Sequence, residues 1–363
     1  MKILFTSITD SGILRVRSEL IMKLLQHKHK VYVVTPQETD YIKLIDLGCE
    51  FVPIYIQAHG TNPVKDVGVY SQYIKILKRI KPDIVLTFTT KPNIYGGMAC
   101  RRLHIPVVMN ITGMGNALGK KGVLQSLLVR MYKIACNGDN IKRIFFQNDN
   151  SKEFFTMHGI GNPSVFYRIP GSGINLEKFP LQPFPKGDTL DFLFVARVLK
   201  EKGIEQYIDA ARFIRKKYPN TVFHVLGACD KAYQDILSHE TKSGVIQYHG
   251  RVNNIAEYQK LSQCTIQPSY YPEGMSNVIL EAAASGRPVI TTDHPGCREG
   301  VDNGVTGYII PIKDSIALIH AVERFMQLSY EEKVAMGLAG RRKMEKEFDR
   351  VIVTDAYMDS ITT

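Results

Sequence analysis

Residues Tyr271–Tyr308 read YPEGMSNVILEAAASGRPVITTDHPGCREGVDNGVTGY. Two glutamates, Glu273 and Glu281, stand eight residues apart in it. Ser276 or Asn277 suits a helix N-cap, and Val278–Ala284 favours helix. Gly286 and Pro288 stop that helix, and Val289–Thr292 reads as a buried strand. The N–H groups of Gly274, Met275, Ser276 and Asn277 then point out of a helix N-terminus, where an anion is favoured. Glu281 sits about one and a half turns into the helix. A carboxylate there can accept two hydrogen bonds from a vicinal diol such as a ribose. Glu273, in the turn before, reaches further out, toward a hexose. Taken alone, the pair also fits an ordinary surface helix.

A second cluster gives the carboxylates a counterpart. Leu193–Ala196 is an apolar strand, Arg197 stands at its C-terminal end, and Lys202 and Gly203 open a helix over Ile204–Lys217. Ligands of open α/β sheets bind outside the carboxyl ends of the strands. Arg197 offers a planar fork there and Lys202 a point charge, which suits a diphosphate. Solvated cations beside a helix are the plainer reading of either residue by itself.

Working outward, strands and helices alternate along the whole chain. Strands are expected at Ile3–Thr6, Val31–Thr35, around Ile54 and Ile56, at Ile84–Thr87, Val107–Asn110 and Arg143–Gln147. Helices are expected at Ser18–His27, Thr39–Leu47, Val69–Ile80 and Lys91–Leu103. A Pro- and Gly-rich link, LQPFPKGDT, covers Leu181–Thr189. A second series follows, with strands at Phe192–Ala196, Val222–Leu226, Ile246–Tyr248, Thr265–Pro268, Val289–Thr292 and Tyr308–Ile310. A last helix covers Glu345–Ile361. The pattern is that of α/β units with parallel sheets, and 363 residues suit two domains.

Composition narrows the class. Hydrophobic content of 44% and charge of 22% are those of a globular enzyme. No apolar run is long enough to span a bilayer, and the opening MKILFTSITDSG reads as a first strand rather than a signal peptide. Six cysteines without C-x-x-C spacing fit reduced thiols in a cytoplasmic protein. Residues 1–180 hold 24 Lys and Arg against 12 Asp and Glu, and the remainder 22 against 23. The basic excess therefore belongs to the first half, which could face nucleic acid, an anionic membrane or an acidic substrate. No nucleic-acid motif is present, so nucleic acid is not an expected partner. In KKGVLQSLLVRMYK (Lys120–Lys133), Val123, Leu124, Leu127, Leu128 and Met131 recur at helical spacing among Lys120, Lys121, Arg130 and Lys133. Such a helix lies in a membrane interface or packs on a core.

Other enzyme classes find little support. A G-x-G-x-x-G dinucleotide turn, a G-x-S-x-G elbow and a D-x-D metal motif are all missing. If the ligand carries a diphosphate, as the Arg197–Lys202 pair suggests, cations and a helix N-terminus would then be what holds it. In the first half, Gly12 lies in the loop after the first strand, where the backbone can approach a diphosphate or acceptor closely. Arg15 and Arg17 follow on the nascent helix, and either could meet an acidic acceptor. KPNIYGG (Lys91–Gly97) and NITGMGN (Asn110–Asn116) sit at strand ends, and the second suits a mobile acceptor loop.

RVLKEKG (Arg197–Gly203) resembles the R-x4-K-G phosphate motif of family 4 glycosyltransferases, and PEGMSNVILEAAASGRPVI resembles their E-x7-E motif. IPGSGINLEKF (Ile169–Phe179) is similar to their interdomain segment, with Ser172 where Asn is usual. YHGRV (Tyr248–Val252) is similar to the turn that receives the base, and PGCREGVDNGVTGYII closes the pattern. The resemblance implies a GT-B fold, two Rossmann-like domains facing across a cleft. It assigns 1–180 to an acceptor domain, with a helix at about 345–363 crossing back, and 181–345 to a nucleotide-sugar domain. It implies a retaining hexosyltransferase with no metal and no cofactor, in which the leaving phosphate helps deprotonate the acceptor. Arg197, Lys202 and Glu273 would be catalytic. Val252 would meet the base and Glu281 the ribose, with Gly12, Gly274, Met275, Ser276 and Asn277 lining the donor. Arg15, Asn110 and Thr112 would lie on the acceptor side. Many members of the family carry a His where this chain has Asn110 and Thr112, so no general base is named. The expected partners are a UDP-sugar, favouring an N-acetylhexosamine, and a lipid-linked saccharide in capsule, O-antigen or related polysaccharide assembly. The basic first domain would meet an anionic membrane surface at the inner face of the plasma membrane. A nucleotide-sugar epimerase of related architecture, or a non-catalytic sugar-nucleotide-binding subunit, stays open.

Overall fold

The computed structural model of the chain describes residues 1–57, 63–115, 118 and 122–362. It divides into two compact units: Met1–Ser172 with Val351–Thr363, and Gly173–Arg350. The division falls upstream of residue 180 for a packing reason. Ile174 N–H donates to Phe348 O at 2.7 Å and Arg350 N–H to Ile174 O at 3.0 Å. Ile174, Leu176 and Phe179 join a core with Leu280, Ala283, Met344 and Phe348, so the segment after Gly173 belongs to the second unit.

In the first unit, β1 (Lys2–Thr6), β2 (Lys30–Thr35), β3 (Glu50–Pro53), β4 (Ile84–Phe88), β5 (Val107–Ile111), β6 (Ile141–Phe146) and β7 (Phe166–Arg168) form one sheet. Its order is β3-β2-β1-β4-β5-β6-β7, and neighbouring strands run parallel. The apolar runs KILFT, IVLTF and VVMNI become its centre because a parallel sheet is covered on both faces. Side chains alternate accordingly. Leu4, Val85 and Met109 enter one core, while Ile3, Phe5, Leu86 and Val108 enter the other. The helix Arg350–Thr362 covers the second face with Val353, Tyr357 and Ile361, spaced by four. The expected single helix from Glu345 is two: Tyr330–Glu347 ends before Phe348, and Asp349 bridges Ile174.

In the second unit, β8 (Leu190–Val195), β9 (Thr221–Leu226), β10 (Gln247–Tyr248), β11 (Cys264–Gln267), β12 (Val289–Thr292) and β13 (Gly307–Ile310) form a parallel sheet ordered β10-β9-β8-β11-β12-β13. The helix Ile204–Lys217 buries Ile204, Tyr207, Ile208, Ala211 and Ile214 against it, an apolar stripe at helical spacing. Strand order reverses between β1 and β4 in the first unit and between β8 and β11 in the second. Those are the topological switch points where α/β sheets bind ligands. No described helix is long and apolar enough to cross a membrane.

Candidate functional site

Two loops leave the switch point of the second unit. After β8 come exposed Arg197 and a 3₁₀ turn over Lys200–Lys202, then Gly203 at φ +80° opens the helix Ile204–Lys217. A Cβ on Gly203 would stand 2.1 Å from Pro268 O, so only glycine lets this loop cross the one after β11. Tyr270 N–H donates to Glu201 O at 2.8 Å and locks the crossing. Lys202 and Glu273, 71 residues apart in sequence, meet there: Nζ lies 2.9 Å from both Glu273 carboxylate oxygens. It also stands 4.8 Å from the centre of the Tyr271 ring. Side-chain exposure is 12% for Lys202 and 21% for Glu273, so the pair is better shielded than a surface salt bridge.

The carboxylate loop is braced from behind. Ser276 caps the helix Asn277–Ala284 by position, but its side chain makes no cap hydrogen bond. Its N–H donates to Gly296 O at 2.7 Å, and Glu273 N–H to Tyr271 O at 2.8 Å. Met275 is buried against Leu280, Ala283 and Met344. The expected outward row of N–H groups over Gly274–Asn277 is therefore interrupted at Ser276, whose N–H serves the loop after β12. Glu281 is half-buried at the fifth position of the helix. Val252 follows β10 and packs with Leu193, Val195, Leu226 and Val278 at the carboxyl ends of β8 and β9. Its turn is held by Gly227 N–H donating to Gly250 O at 2.8 Å.

Two features of this unit escape a reading by motif. His294, in the loop after β12, donates Nδ1–H to Pro295 O at 2.9 Å. Burial holds its imidazole below the usual histidine range and pushes the neighbouring Cys297 thiol up to about 12. Its signal was the letters TDHPG directly after an expected strand. The second is a chain across β8, β9 and the residue after β10: Asp191 Oδ1 to His224 Nε2 at 3.0 Å, then His224 Nδ1 to His249 Nε2 at 3.0 Å. Residues so distant in sequence carry no local signal. Among the described residues, no three His, Cys, Asp or Glu side chains converge as a metal cage.

The first unit treats its candidates differently. Its first helix begins at Asp10 rather than Ser18, capped by Thr9, whose Oγ1 accepts Gly12 N–H at 3.2 Å. Gly12 is thus in the first helical turn and not in a loop; a Cβ there would stand 2.6 Å from that oxygen. Arg15 is exposed, whereas Arg17 is buried, 4.9 Å from the Phe88 ring and 5.1 Å from the Tyr357 ring. Asn110 is 0% exposed. Its Nδ2 donates to Tyr357 Oη and its Oδ1 accepts from Gln147 Nε2 at 3.4 Å. That network makes Asn110 a packing residue rather than a surface one. Thr112 is half-buried just past β5. Thr89, at the end of β4, holds φ +71° and precedes a π-helical turn, Pro92–Gly96. Both are departures that collect at functional sites. Lys120, Lys121 and Asn116 lie outside the described residues. In the helix Val123–Cys136, Leu128 and Tyr132 face the core, while Val123 is 89% and Leu127 50% exposed.

Residues 177–343 match the family described as glycosyl transferases group 1, and residues 2–148 the family described as glycosyl transferase 4-like. The chain is 25% identical over 376 residues to the N,N'-diacetylbacillosaminyl-diphospho-undecaprenol alpha-1,3-N-acetylgalactosaminyltransferase of Campylobacter jejuni, covering 99% of this chain and 97% of that protein. It is 24% identical over 379 residues to the Escherichia coli UDP-Gal:alpha-D-GlcNAc-diphosphoundecaprenol alpha-1,3-galactosyltransferase, covering 97% and 94%. Its fold is similar to that of HepE from Anabaena, solved with UDP and glucose: TM-score 0.80 at 15% identity, over 100% of this chain and 99% of that one. Two family matches in succession, over residues 2–148 and 177–343, on two parallel α/β sheets whose second switch point joins Lys202 to Glu273, make this chain a member of the family 4-like glycosyltransferases of GT-B fold.

Proposed function

We propose that the chain transfers an N-acetylhexosamine from a UDP-sugar to a saccharide linked through diphosphate to a polyprenol lipid, with retention and without a metal. The observation that carries the donor half is the Lys202–Glu273 contact at the β8/β11 switch point, with exposed Arg197 earlier in the loop that bears Lys202. The second unit binds the donor. Arg197 and Lys202 hold the diphosphate, Glu273 positions the sugar, Glu281 takes the ribose hydroxyls, and Val252 meets the base. The first unit binds the acceptor, with Arg15 and Thr112 as its contacts. The bond from the anomeric carbon to the β-phosphate oxygen breaks, and the bond to the acceptor oxygen forms on the same face. The acceptor's proton passes to the departing phosphate. Cations near that phosphate lower the barrier because they are in place before charge develops.

The lipid acceptor is supported by two relatives of nearly full length whose names specify diphospho-undecaprenol substrates. Contact with an anionic membrane is supported by the first unit's basic excess. It is also supported by exposed Val123, Leu124, Leu127 and Ile134 on one helix beside Arg130 and Lys133. The test is incubation with UDP-N-acetylgalactosamine, UDP-N-acetylglucosamine and UDP-galactose against undecaprenyl-diphosphate-linked saccharides. One donor should give an α-linked product, unaffected by EDTA. Absence of transfer and of UDP release with every donor, with Arg197→Ala behaving as the parent, sinks the reading.

A further inference from the structure

The loop that braces the Glu273 turn carries one half-buried ring to which no role has been given. His294 belongs to the loop after β12, and that loop is fastened to the Glu273 turn. Ser276 N–H donates to Gly296 O at 2.7 Å. Gly296 holds φ +89°, and a Cβ there would stand 2.7 Å from Glu273 O. Nothing larger than glycine fits, so the His294 backbone is carried into register with Glu273.

The chemistry of the ring follows from one contact. Nδ1 lies 2.9 Å from Pro295 O. A carbonyl oxygen only accepts, so Nδ1 carries the proton and Nε2 presents a lone pair. Burial holds the ring below the usual histidine range; the Pro295 contact and Glu273 act to raise it, and Arg298 and Lys202 to lower it. The imidazole is therefore neutral at pH 7, with its tautomer set by the backbone. A neutral acceptor of this kind does not suit a phosphate, which needs donors or cations. Nor do the described residues supply the further ligands a metal would need. It suits a hydroxyl group.

We propose that His294 accepts a hydrogen bond from a hydroxyl of the donor's sugar through Nε2, and so helps decide which hexose the chain transfers. The proposal rests on the glycosyl-transfer reading above. It makes His294 a reader of the sugar alone, distinct from the groups that hold the nucleotide.

The test compares UDP with UDP-N-acetylgalactosamine and UDP-N-acetylglucosamine, by calorimetry on the full chain. His294→Ala should weaken the better-bound UDP-sugar about tenfold and leave UDP within about twofold, the scale of one lost hydrogen bond. His294→Gln keeps a side-chain acceptor and should recover part of the loss. Acid titration from pH 7.5 removes the acceptor as Nε2 takes up its proton, which burial places below the usual histidine range, so the parent should lose UDP-sugar affinity relative to UDP along that titration while His294→Gln does not. A purely structural histidine would not separate the two ligands. Equal weakening of UDP and UDP-sugar, or no change in either variant, overturns the assignment and leaves glycosyl transfer standing. Binding of neither UDP nor a UDP-sugar by the unaltered chain overturns both.

Discussion

The two units share an architecture but use their polar residues in opposite ways. In the second, the residues picked out by motif lie at the switch point, with Lys202 and Glu273 in contact and Arg197 exposed nearby. In the first, the equivalent candidates are drawn inward. Asn110 is tied to Tyr357 and Gln147, Gly12 completes a helix cap, and Arg17 lies against two aromatic rings. A parallel sheet offers the same address, the carboxyl ends of its strands, in both units. Whether a polar side chain there is exposed depends on what covers it. The returning helix places Tyr357 over that part of the first sheet, and the buried polar groups satisfy one another.

The sharpest way to break this contrast is at Glu273. Glu273→Gln should lower transfer by on the order of 10²–10³. It should not weaken UDP, because Lys202 then loses its carboxylate partner and is left to the phosphates. Turnover and UDP calorimetry on one preparation would decide it, and a parallel loss of both would dissolve the division of labour. Arg197→Ala is the complement: transfer and UDP affinity should fall together, each by about tenfold or more.

The first unit should respond in stability instead. Asn110→Ala leaves the Tyr357 hydroxyl and Gln147 without their partner, at a cost of about 1–3 kcal/mol. Urea unfolding should register it while UDP affinity stays level. If UDP affinity falls as well, Asn110 does more than pack.

Acidification is a smaller effect with a definite sign. Burial is the largest cause holding His29, His249 and His294 below the usual range. Below about pH 6.5 the unfolded chain takes up protons that the folded chain resists. The stability present above that pH is then lost progressively as pH falls toward the depressed folded values. The denaturation midpoint should drop between pH 7 and pH 5, and less so in the double variant His249→Gln, His294→Gln. A last expected effect is on the membrane: Arg130→Ala with Lys133→Ala should weaken flotation with phosphatidylglycerol vesicles by about 1 kcal/mol per charge removed, and leave binding of UDP untouched.

Much of this was legible in the letters, for local reasons. Apolar runs of four to six residues marked the strands, and helical spacing marked Ile204–Lys217. R-x4-K-G and E-x7-E are continuous stretches that bring residues to the second switch point, the first a strand end with its following turn and the second a turn with its following helix. The helix start at Asp10 was missed because Thr9 caps it through Gly12, and a glycine reads as a loop. The start of the second unit lies at Gly173, ahead of the Pro- and Gly-rich link, because Gly173–Phe179 is drawn into its core by Ile174 and Phe179. What the sequence determined by itself is the α/β alternation, the two motifs at the second switch point and the charge asymmetry, all carried by neighbours in the chain. Tertiary structure alone decided that Lys202 meets Glu273 in the second unit, that Asn110 is buried in the first, and that the loop carrying His294 is fastened to the Glu273 turn. Each depends on segments far apart in sequence, brought together where loops cross and helices return, and no spacing along the chain encodes such a meeting.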